Sequence, residues 1–254
     1  MKRHHIILAV SVIGLVIVTP VPALAQTVTA VPSSVKTSHN ITSSWYAKYI
    51  DANVIPVLGS SLVGDAALVK ARSNVLRLLM TLPTSAKARL VSQKVRVVIW
   101  ARSEKASSIP EYYAMFGTGS DSTYWGGFGP TASLPIAAGT EANLIDNYGA
   151  ENVFVHEFAH GVAEMALASV DSNFTSQLNA AFAARSSVTP TRWANTYAAT
   201  NTKEYWAEGV QSYFNVNRAA DPGIHNGIDT RAELQTYDPP LYNLISRVYG
   251  SGGL

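Results

Sequence analysis

The sequence contains no cysteine, few charged residues and, beyond its first 25 positions, no long apolar run. Asp, Glu, Lys and Arg together make up 14% of its 254 residues. The absence of cysteine excludes disulfides and thiol chemistry, so the folded state must be stabilised by packing or by a bound metal. The absence of a later apolar run of about 20 residues excludes a membrane-spanning helix in that part of the chain.

The first 25 residues differ from the rest of the chain. Lys2 and Arg3 precede a nearly uninterrupted apolar stretch over 6–18, and small residues come before Gln26. This layout is typical of a secretory signal peptide, and we expect cleavage near Ala25 and a secreted or periplasmic protein with no stable membrane insertion. An uncleaved anchor is the alternative, although the stretch is shorter than the roughly 20 residues of a spanning helix.

Charge balance limits the class of partner. The 19 basic residues include Lys2 and Arg3, whereas none of the 17 acidic residues lies before Gln26, so the mature chain is neutral overall. A neutral chain lacks the basic surface that nucleic acid binding requires. The apolar content of 47% is enough for a core. We expect a single domain over 45–254, after an extended lead-in over 26–44.

Strand patterns come early in the chain and helix patterns come late. Alternating β-branched residues predict a strand over 94–100, with partner strands near 50–57 and 134–138. Apolar residues at helical spacing predict five helices, at 65–80, 151–168, 173–184, 202–216 and 240–248. This segregation predicts an α+β fold, in which a small twisted sheet in the N-terminal half packs on a helical C-terminal half.

The segment His156-Glu157-Phe158-Ala159-His160 lies within the second of these predicted helices. Four residues advance a helix by about 400° and about 6 Å, so His156 and His160 project from one face and can share a metal ion. Glu157 lies about 100° away around the same helix. That is the position expected of a general base that activates water at the metal, so the spacing indicates a hydrolase.

A zinc hydrolase usually has a third protein ligand, which must come from elsewhere in the chain. The predicted helix over 202–216 carries Glu204 and Glu208 on one face. One carboxylate can bind the metal while the other supports a ligand. Glu208 is the candidate for the supporting role, because a metal-binding histidine normally donates its second ring proton to a carboxylate or carbonyl.

These motifs resemble those of the gluzincin metallopeptidases, in which His-Glu-x-x-His on one helix is completed by a Glu on a later helix. Glu204-Tyr205-Trp206-Ala207-Glu208 is similar to the pattern of the lethal factor and Pro-Pro endopeptidase type. The stretches 151–163, 193–214 and 225–231 also resemble a family of uncharacterised secreted proteins thought to be peptidases.

The resemblance implies a zincin-like fold, one Zn²⁺ ion and specific roles for residues of the second helix. It assigns Glu204 to the zinc and Glu208 to the support of a ligand. Members of the lethal factor type carry a tyrosine seven residues before the ligand Glu, which stabilises the oxyanion of the reaction. That position here is Tyr197.

We therefore expect a secreted zinc metalloendopeptidase that acts on a peptide or protein substrate, with Glu157 as its general base. One alternative is a zinc-stabilised binding module without turnover. Another is a zinc hydrolase or aminopeptidase acting on a different amide. The aminopeptidase interpretation depends on 139–143, which matches the motif of that class only in part. Glu204 also lies further along the sequence than the ligand Glu of that class.

Substrate contacts and two further residues stay open at this stage. We expect the segment 132–138 to form an exposed strand edge that holds an extended peptide. Tyr124, Trp125 and Phe128 lie in a glycine-rich loop and either shape a side-chain pocket or pack in the core. Glu164 either orients a ligand or is solvated, and His225 either faces the cleft or is a hydrogen-bonded or surface histidine.

Overall fold

The computed structural model describes residues 27–121, 126–146 and 151–254. The proposed signal peptide therefore lies outside the described residues, as do Tyr124 and Trp125 of the glycine-rich loop. Within the described ranges, none of the helices combines the length and the apolar character that crossing a membrane would need.

The described chain is a mixed α and β structure with its main sheet in the N-terminal half. The strands of that sheet are β1 (Thr29–Ala30), β2 (Lys48–Ala52), β3 (Ile55–Gly59), β4 (Arg96–Trp100), β5 (Gly127–Phe128) and β6 (Ile136–Thr140). Their spatial order is β1-β2-β3-β4-β6-β5, with β3, β4 and β6 parallel and the other pairs antiparallel. A separate ribbon pairs β7 (Ala220–Asp221) with β8 (His225–Asn226).

Helices connect the central strands and dominate the C-terminal half. The first five helices are α1 (Ser33–Ser38), α2 (Asp65–Leu79), α3 (Thr84–Ser92), α4 (Pro110–Phe116) and α5 (Glu141–Asp146). Those that follow are α6 (Val153–His160), α7 (Ala168–Val170), α8 (Phe174–Ala184), α9 (Thr202–Tyr213), α10 (Arg231–Tyr237) and α11 (Pro239–Tyr249). A π-helical segment, Gly161–Leu167, joins α6 to α7.

The expected placement of sheet and helices is confirmed, with differences in detail. The predicted strand near 50–57 is a hairpin of β2 and β3, which turns at Asn53 with a φ of 71°. The lead-in over 26–44 is not simply extended. It contains β1, which pairs with β2, and α1. Besides α1, helices α3, α4, α5 and α10 were not predicted.

Two hydrophobic clusters cover the two faces of the sheet. On one face, Val57, Val97 and Ala137 pack against the long helices, including Phe154 and Phe158 of α6. On the other face, β3, β4 and β6 contact a smaller cluster formed by the N-terminal segment and α4. Strands buried on both faces read as continuous apolar runs, which explains why β3 and β4 contain little polar alternation. The larger cluster holds α6 rigidly beside the sheet.

The segment 132–138, expected to be an exposed strand edge, enters the sheet only from Ile136 onward and is partly covered by β5. Strand β6 pairs with β4 along its whole length, and β5 covers its other edge at Ala138 and Gly139. The outer strand beside the long helices is β5, Gly127–Phe128. Phe128 packs against Tyr112, with ring centroids 4.8 Å apart, and so belongs to the smaller core cluster.

Candidate metal centre

Helix α6 begins at a capped N-terminus and is buried along most of its length. The side chain of Asn152 accepts a hydrogen bond from the backbone N–H of Val155 over 3.1 Å, which satisfies one of the free donors of the first turn. Phe154 and Phe158 are fully buried in the larger core cluster. The helix therefore has a fixed rotation about its axis, and His156 and His160 project together from its remaining face.

Helix α9 is capped by Asn201, whose side-chain oxygen accepts from the backbone N–H groups of Lys203 and Glu204 at 2.8 and 3.0 Å. This cap places Glu204 in the first turn of α9. Trp206, two residues on, is fully buried and donates its indole N–H to the carbonyl of Ala159 in α6 over 3.1 Å. The bond joins the two helices next to the histidines.

The two helices bring three donor atoms to one point. Nε2 of His156 lies 3.1 Å from Nε2 of His160 and 3.0 Å from Oε2 of Glu204. Nε2 of His160 lies 3.2 Å from the same Glu204 oxygen. These three residues are the one group of potential metal ligands found among the residues that the structure describes.

The triangle of donor atoms fits a divalent metal. A tetrahedral zinc with bonds of about 2.0–2.1 Å holds its ligand atoms about 3.3 Å apart, close to the separations seen here. Two imidazole nitrogens and one carboxylate oxygen are also ligand types that zinc accepts, and three ligands leave a fourth position open. His156, His160 and Glu204 can therefore hold a metal ion.

The electrostatics of the site favour positive charge. Burial by itself lowers the pKa of His156, but the carboxylates of Glu204 and Glu208 outweigh it and raise that pKa well above its usual value. Burial also opposes ionisation of Glu204, whereas hydrogen bonds from His156 and His160 hold its pKa far below the ordinary range. An environment that stabilises a proton on buried imidazoles also stabilises a metal cation.

Glu157 is buried beside these ligands and faces β5. A methyl group added to Gly127 would lie 2.7 Å from Cγ of Glu157, and one added to Gly129 would lie 3.2 Å from its Oε2. Burial raises the pKa of Glu157, while His156 and His160 lower it and leave a net increase. A carboxylate whose pKa is raised toward neutrality is a better proton acceptor.

Tyr197 lies in a short 3₁₀ turn, Tyr197–Ala199, just before α9. Its ring is 6.1 Å from that of His156 between centroids, with 25° between the planes. Its backbone N–H donates to the carbonyl of Ile224 over 2.9 Å. Burial, followed by the charge of Glu204, raises the pKa of the Tyr197 hydroxyl, which therefore stays protonated and able to donate.

Glu208 approaches His156 as expected, but a closer partner is present. Oε1 of Glu208 lies 3.4 Å from Nδ1 of His156, whereas Oε1 of Gln211 accepts from the same nitrogen over 2.9 Å. Gln211 is fully buried, and its amide nitrogen donates to the carbonyl of Asn152 over 3.1 Å. Gln211 was not predicted as a site residue, although it continues the i, i+4, i+7 stripe of Glu204 and Glu208.

The two residues left open are both held by neighbouring charges. Oε1 of Glu164 lies 3.4 Å from Nδ1 of His160, and its other oxygen forms an ion pair with Lys203. His225 faces the cleft, since it lines a cavity beside α6, and its side chain is 6% exposed. Its Nε2 lies 2.9 Å from Glu151 and its Nδ1 lies 3.2 Å from Glu208.

Two cavities adjoin the metal-ligand group. A cavity of about 490 Å³ is bounded by α6 and the ribbon of β7 and β8, and a second of about 260 Å³ is bounded by β5 and the start of α9. Both are lined by His156, Glu157 and Tyr197. The three residues therefore lie where the two cavities meet.

The structure thus brings together every residue that the sequence analysis assigned to the site: His156, Glu157, His160, Tyr197, Glu204 and Glu208. Comparison of the chain with protein-family models and with curated proteins gives no match. The geometry of these residues and the motifs that they form are therefore the features that indicate a function.

Proposed function

We propose that this protein is a zinc-dependent endopeptidase of the gluzincin type, exported from the cell by its N-terminal leader. The observation that supports this most directly is the convergence of His156, His160 and Glu204 within 3.0–3.2 Å, with Glu157 next to them. Three protein ligands and an adjacent buried carboxylate are the composition of a hydrolytic zinc site rather than of a structural one.

A zinc ion held by these ligands would act as a Lewis acid, polarising a carbonyl and lowering the pKa of water. Glu157 accepts a proton from the attacking water and returns it to the departing amine. The protonated hydroxyl of Tyr197 donates a hydrogen bond to the carbonyl oxygen as negative charge develops on it. Gln211 holds His156 with its Nδ1 protonated, which leaves Nε2 free to bind the metal.

The edge strand β5 is suited to hold the substrate backbone. It is an edge strand of the sheet, and because Gly127 and Gly129 have no side chains, the segment that contains β5 lies directly against Glu157. An extended peptide can add to such an edge through main-chain hydrogen bonds. In this proposal β5 takes the role that the sequence analysis gave to 132–138.

Cleavage at internal bonds fits the cleft better than removal of terminal residues. The cavities continue on both sides of Glu157, so a chain can extend in both directions. In the described part of the cleft, each basic side chain already has a carboxylate partner. Arg218 contacts Asp221 at 2.9 Å, Lys203 pairs with Glu164 and His225 pairs with Glu151. No unpaired cation there is available to bind a terminal carboxylate.

The aminopeptidase alternative is less well supported. Its loose motif over 139–143 contains Glu141, whose carboxylate accepts hydrogen bonds from the backbone N–H groups of Gly64 and Arg102 at 3.1 and 3.3 Å. Glu141 is thus engaged in joining loops of the N-terminal half. A zinc-stabilised binding module would not need the buried carboxylate of Glu157 beside the metal. Zinc chemistry by itself permits the hydrolysis of amides other than peptide bonds, which is the remaining alternative.

A screen of the purified protein against a peptide library, with and without a chelator, separates these functions. An endopeptidase should cut at internal bonds, lose activity with the chelator and regain it when zinc is added back. Metal analysis should find about one zinc per chain in the wild type and far less in Glu204→Ala. Asp65→Asn alters an exposed carboxylate paired with Lys48 and is the matched control. Full zinc binding without any peptide cleavage would favour the binding module.

A further inference from the structure

His225 lies outside the proposed metal-ligand set, yet both of its ring nitrogens face carboxylates. Nδ1 is 3.2 Å from Oε2 of Glu208 and Nε2 is 2.9 Å from Oε2 of Glu151. The side chain is 6% exposed, so water supplies little of its solvation. Two carboxylates this close to one ring favour its charged imidazolium form.

Glu208 connects this buried cation to the metal centre. Its Oε2 faces His225 and also accepts from the amide nitrogen of Asn217 over 3.1 Å. The other carboxylate oxygen of Glu208, Oε1, lies 3.4 Å from Nδ1 of His156. His225 and Asn217 therefore hold one oxygen, and through it fix the direction of the other. The charges alternate in sign from Glu151 through His225 and Glu208 to the metal centre.

The same short ribbon also fixes Tyr197. His225 begins β8, and the residue before it, Ile224, accepts the backbone N–H of Tyr197 over 2.9 Å. His225 and Ile224 also line the larger cavity. One element thus contacts the supporting carboxylate through a side chain and the proposed oxyanion donor through its backbone.

We propose that His225 is a positioning residue, which orients His156 for metal binding by holding Glu208 through Nδ1. This inference rests on the proposed metal site and assigns a function to a residue that does not touch the metal or the substrate. The contact of His225 Nε2 with Glu151 fixes the ring, whereas the contact of His225 Nδ1 with Glu208 holds that carboxylate toward His156. Removal of the Nδ1 donor should therefore weaken metal binding, even if the ribbon stays folded.

Two variants separate the two nitrogens. The amide nitrogen of asparagine falls close to the place of histidine Nδ1, and that of glutamine falls close to the place of Nε2. His225→Asn therefore keeps a donor to Glu208, and His225→Gln keeps one to Glu151. The probe is Zn²⁺ alone, with its Kd measured by chelator competition, and the visible spectrum of Co²⁺ bound in its place reports the ligand geometry.

We expect His225→Gln and His225→Ala to bind zinc about tenfold more weakly than the wild type and to alter the Co²⁺ spectrum. His225→Asn should recover most of the lost affinity. Asn226→Ala is the matched control, because Asn226 anchors the same ribbon to the Tyr237 hydroxyl, over 3.1 Å, without contacting Glu208. Thermal unfolding of the metal-free variants measures the stability of the ribbon separately.

Equal zinc affinity in His225→Gln and the wild type would overturn the inference. It would also be overturned if His225→Asn were as weak as His225→Gln, or if Asn226→Ala weakened zinc as much, since the ribbon would then act only by being folded. Failure of the wild type to bind zinc would overturn the proposed function together with this inference. The metal analysis of the wild type therefore distinguishes the two failures.

Discussion

Nδ1 of His156 donates a hydrogen bond to Oε1 of Gln211 over a distance of 2.9 Å. The donation of the Gln211 amide nitrogen to the carbonyl of Asn152 orients the amide, so its oxygen must face the imidazole. An amide oxygen only accepts, and the proton of neutral His156 therefore lies on Nδ1. The lone pair of Nε2 then points toward His160 and Glu204, as metal binding requires.

Gln211→Leu should weaken zinc binding. Leucine has a similar size and keeps the site packed, but it removes both hydrogen bonds and frees the ring of His156 to rotate or to change tautomer. We expect a loss of about 10- to 100-fold in zinc affinity, measured by chelator competition. Gln211→Glu keeps the acceptor for His156 and should lose less. Affinity that falls equally in both variants would show that the bond to Asn152 is the important one.

Glu157→Gln should abolish turnover and leave the metal in place. The amide keeps the volume of the buried side chain but cannot accept the proton of water, and we expect the rate to fall by at least about 10²- to 10⁴-fold. The measurement is cleavage of a peptide found in the library screen, with zinc content determined on the same sample. Unchanged hydrolysis by this variant would exclude Glu157 as the general base.

Tyr197→Phe should lower kcat more than it raises KM. The ring would still stack near His156, whereas the donor for the developing oxyanion would be lost, at a cost of about 10²- to 10³-fold in kcat. Tyr113→Phe, at a largely exposed tyrosine of α4, is the control and should behave as the wild type. An equal kcat in both variants would indicate that Tyr197 only packs against the histidine.

Gly127→Ala should impair catalysis through steric displacement. The added methyl would lie 2.7 Å from Cγ of Glu157 and 2.8 Å from the carbonyl of Ala138, so either β5 or Glu157 must move. A misplacement of about 1 Å at a reacting group can cost about 10²-fold in rate. Gly119→Ala, where the methyl meets nothing within 4 Å, is the matched control. Normal kinetics in Gly127→Ala would argue against β5 as the substrate edge.

His225 should make the stability of the metal-free protein depend on pH. Burial by itself lowers the pKa of His225, but Glu151 and Glu208 outweigh it and raise that pKa from 6.5 to about 9. The stabilisation is then fully present below pH 6.5 and is lost as the pH rises to about 9. We expect Tm, measured with a chelator present, to fall by at least about 2 °C over this window. In His225→Gln that fall should be smaller, and an identical fall would contradict the assignment.

The local elements of the fold were the most predictable part. The 3.6-residue period identified α2, α6, α8, α9 and α11, and the β-branched run identified β4. Helix α3 was missed because only Ala86 and Leu90 of its nine residues are buried, which gives a weak pattern. Strand β5 has two residues, too few for an alternation to be seen. Because β5 was not predicted, the substrate-binding edge was assigned to 132–138, which lies one strand further inside the sheet.

The sequence by itself determined the donor types and their directions along each helix. The spacing of His156 and His160, and that of Glu204 and Glu208, follows from the helical period, which is a local property of the backbone. Only the tertiary structure decided that Gln211 lies closer to His156 than Glu208 does, that His225 holds Glu208 and that β5 faces Glu157. These contacts join residues far apart in the chain. Their geometry depends on how helices and strands pack, which no local period specifies.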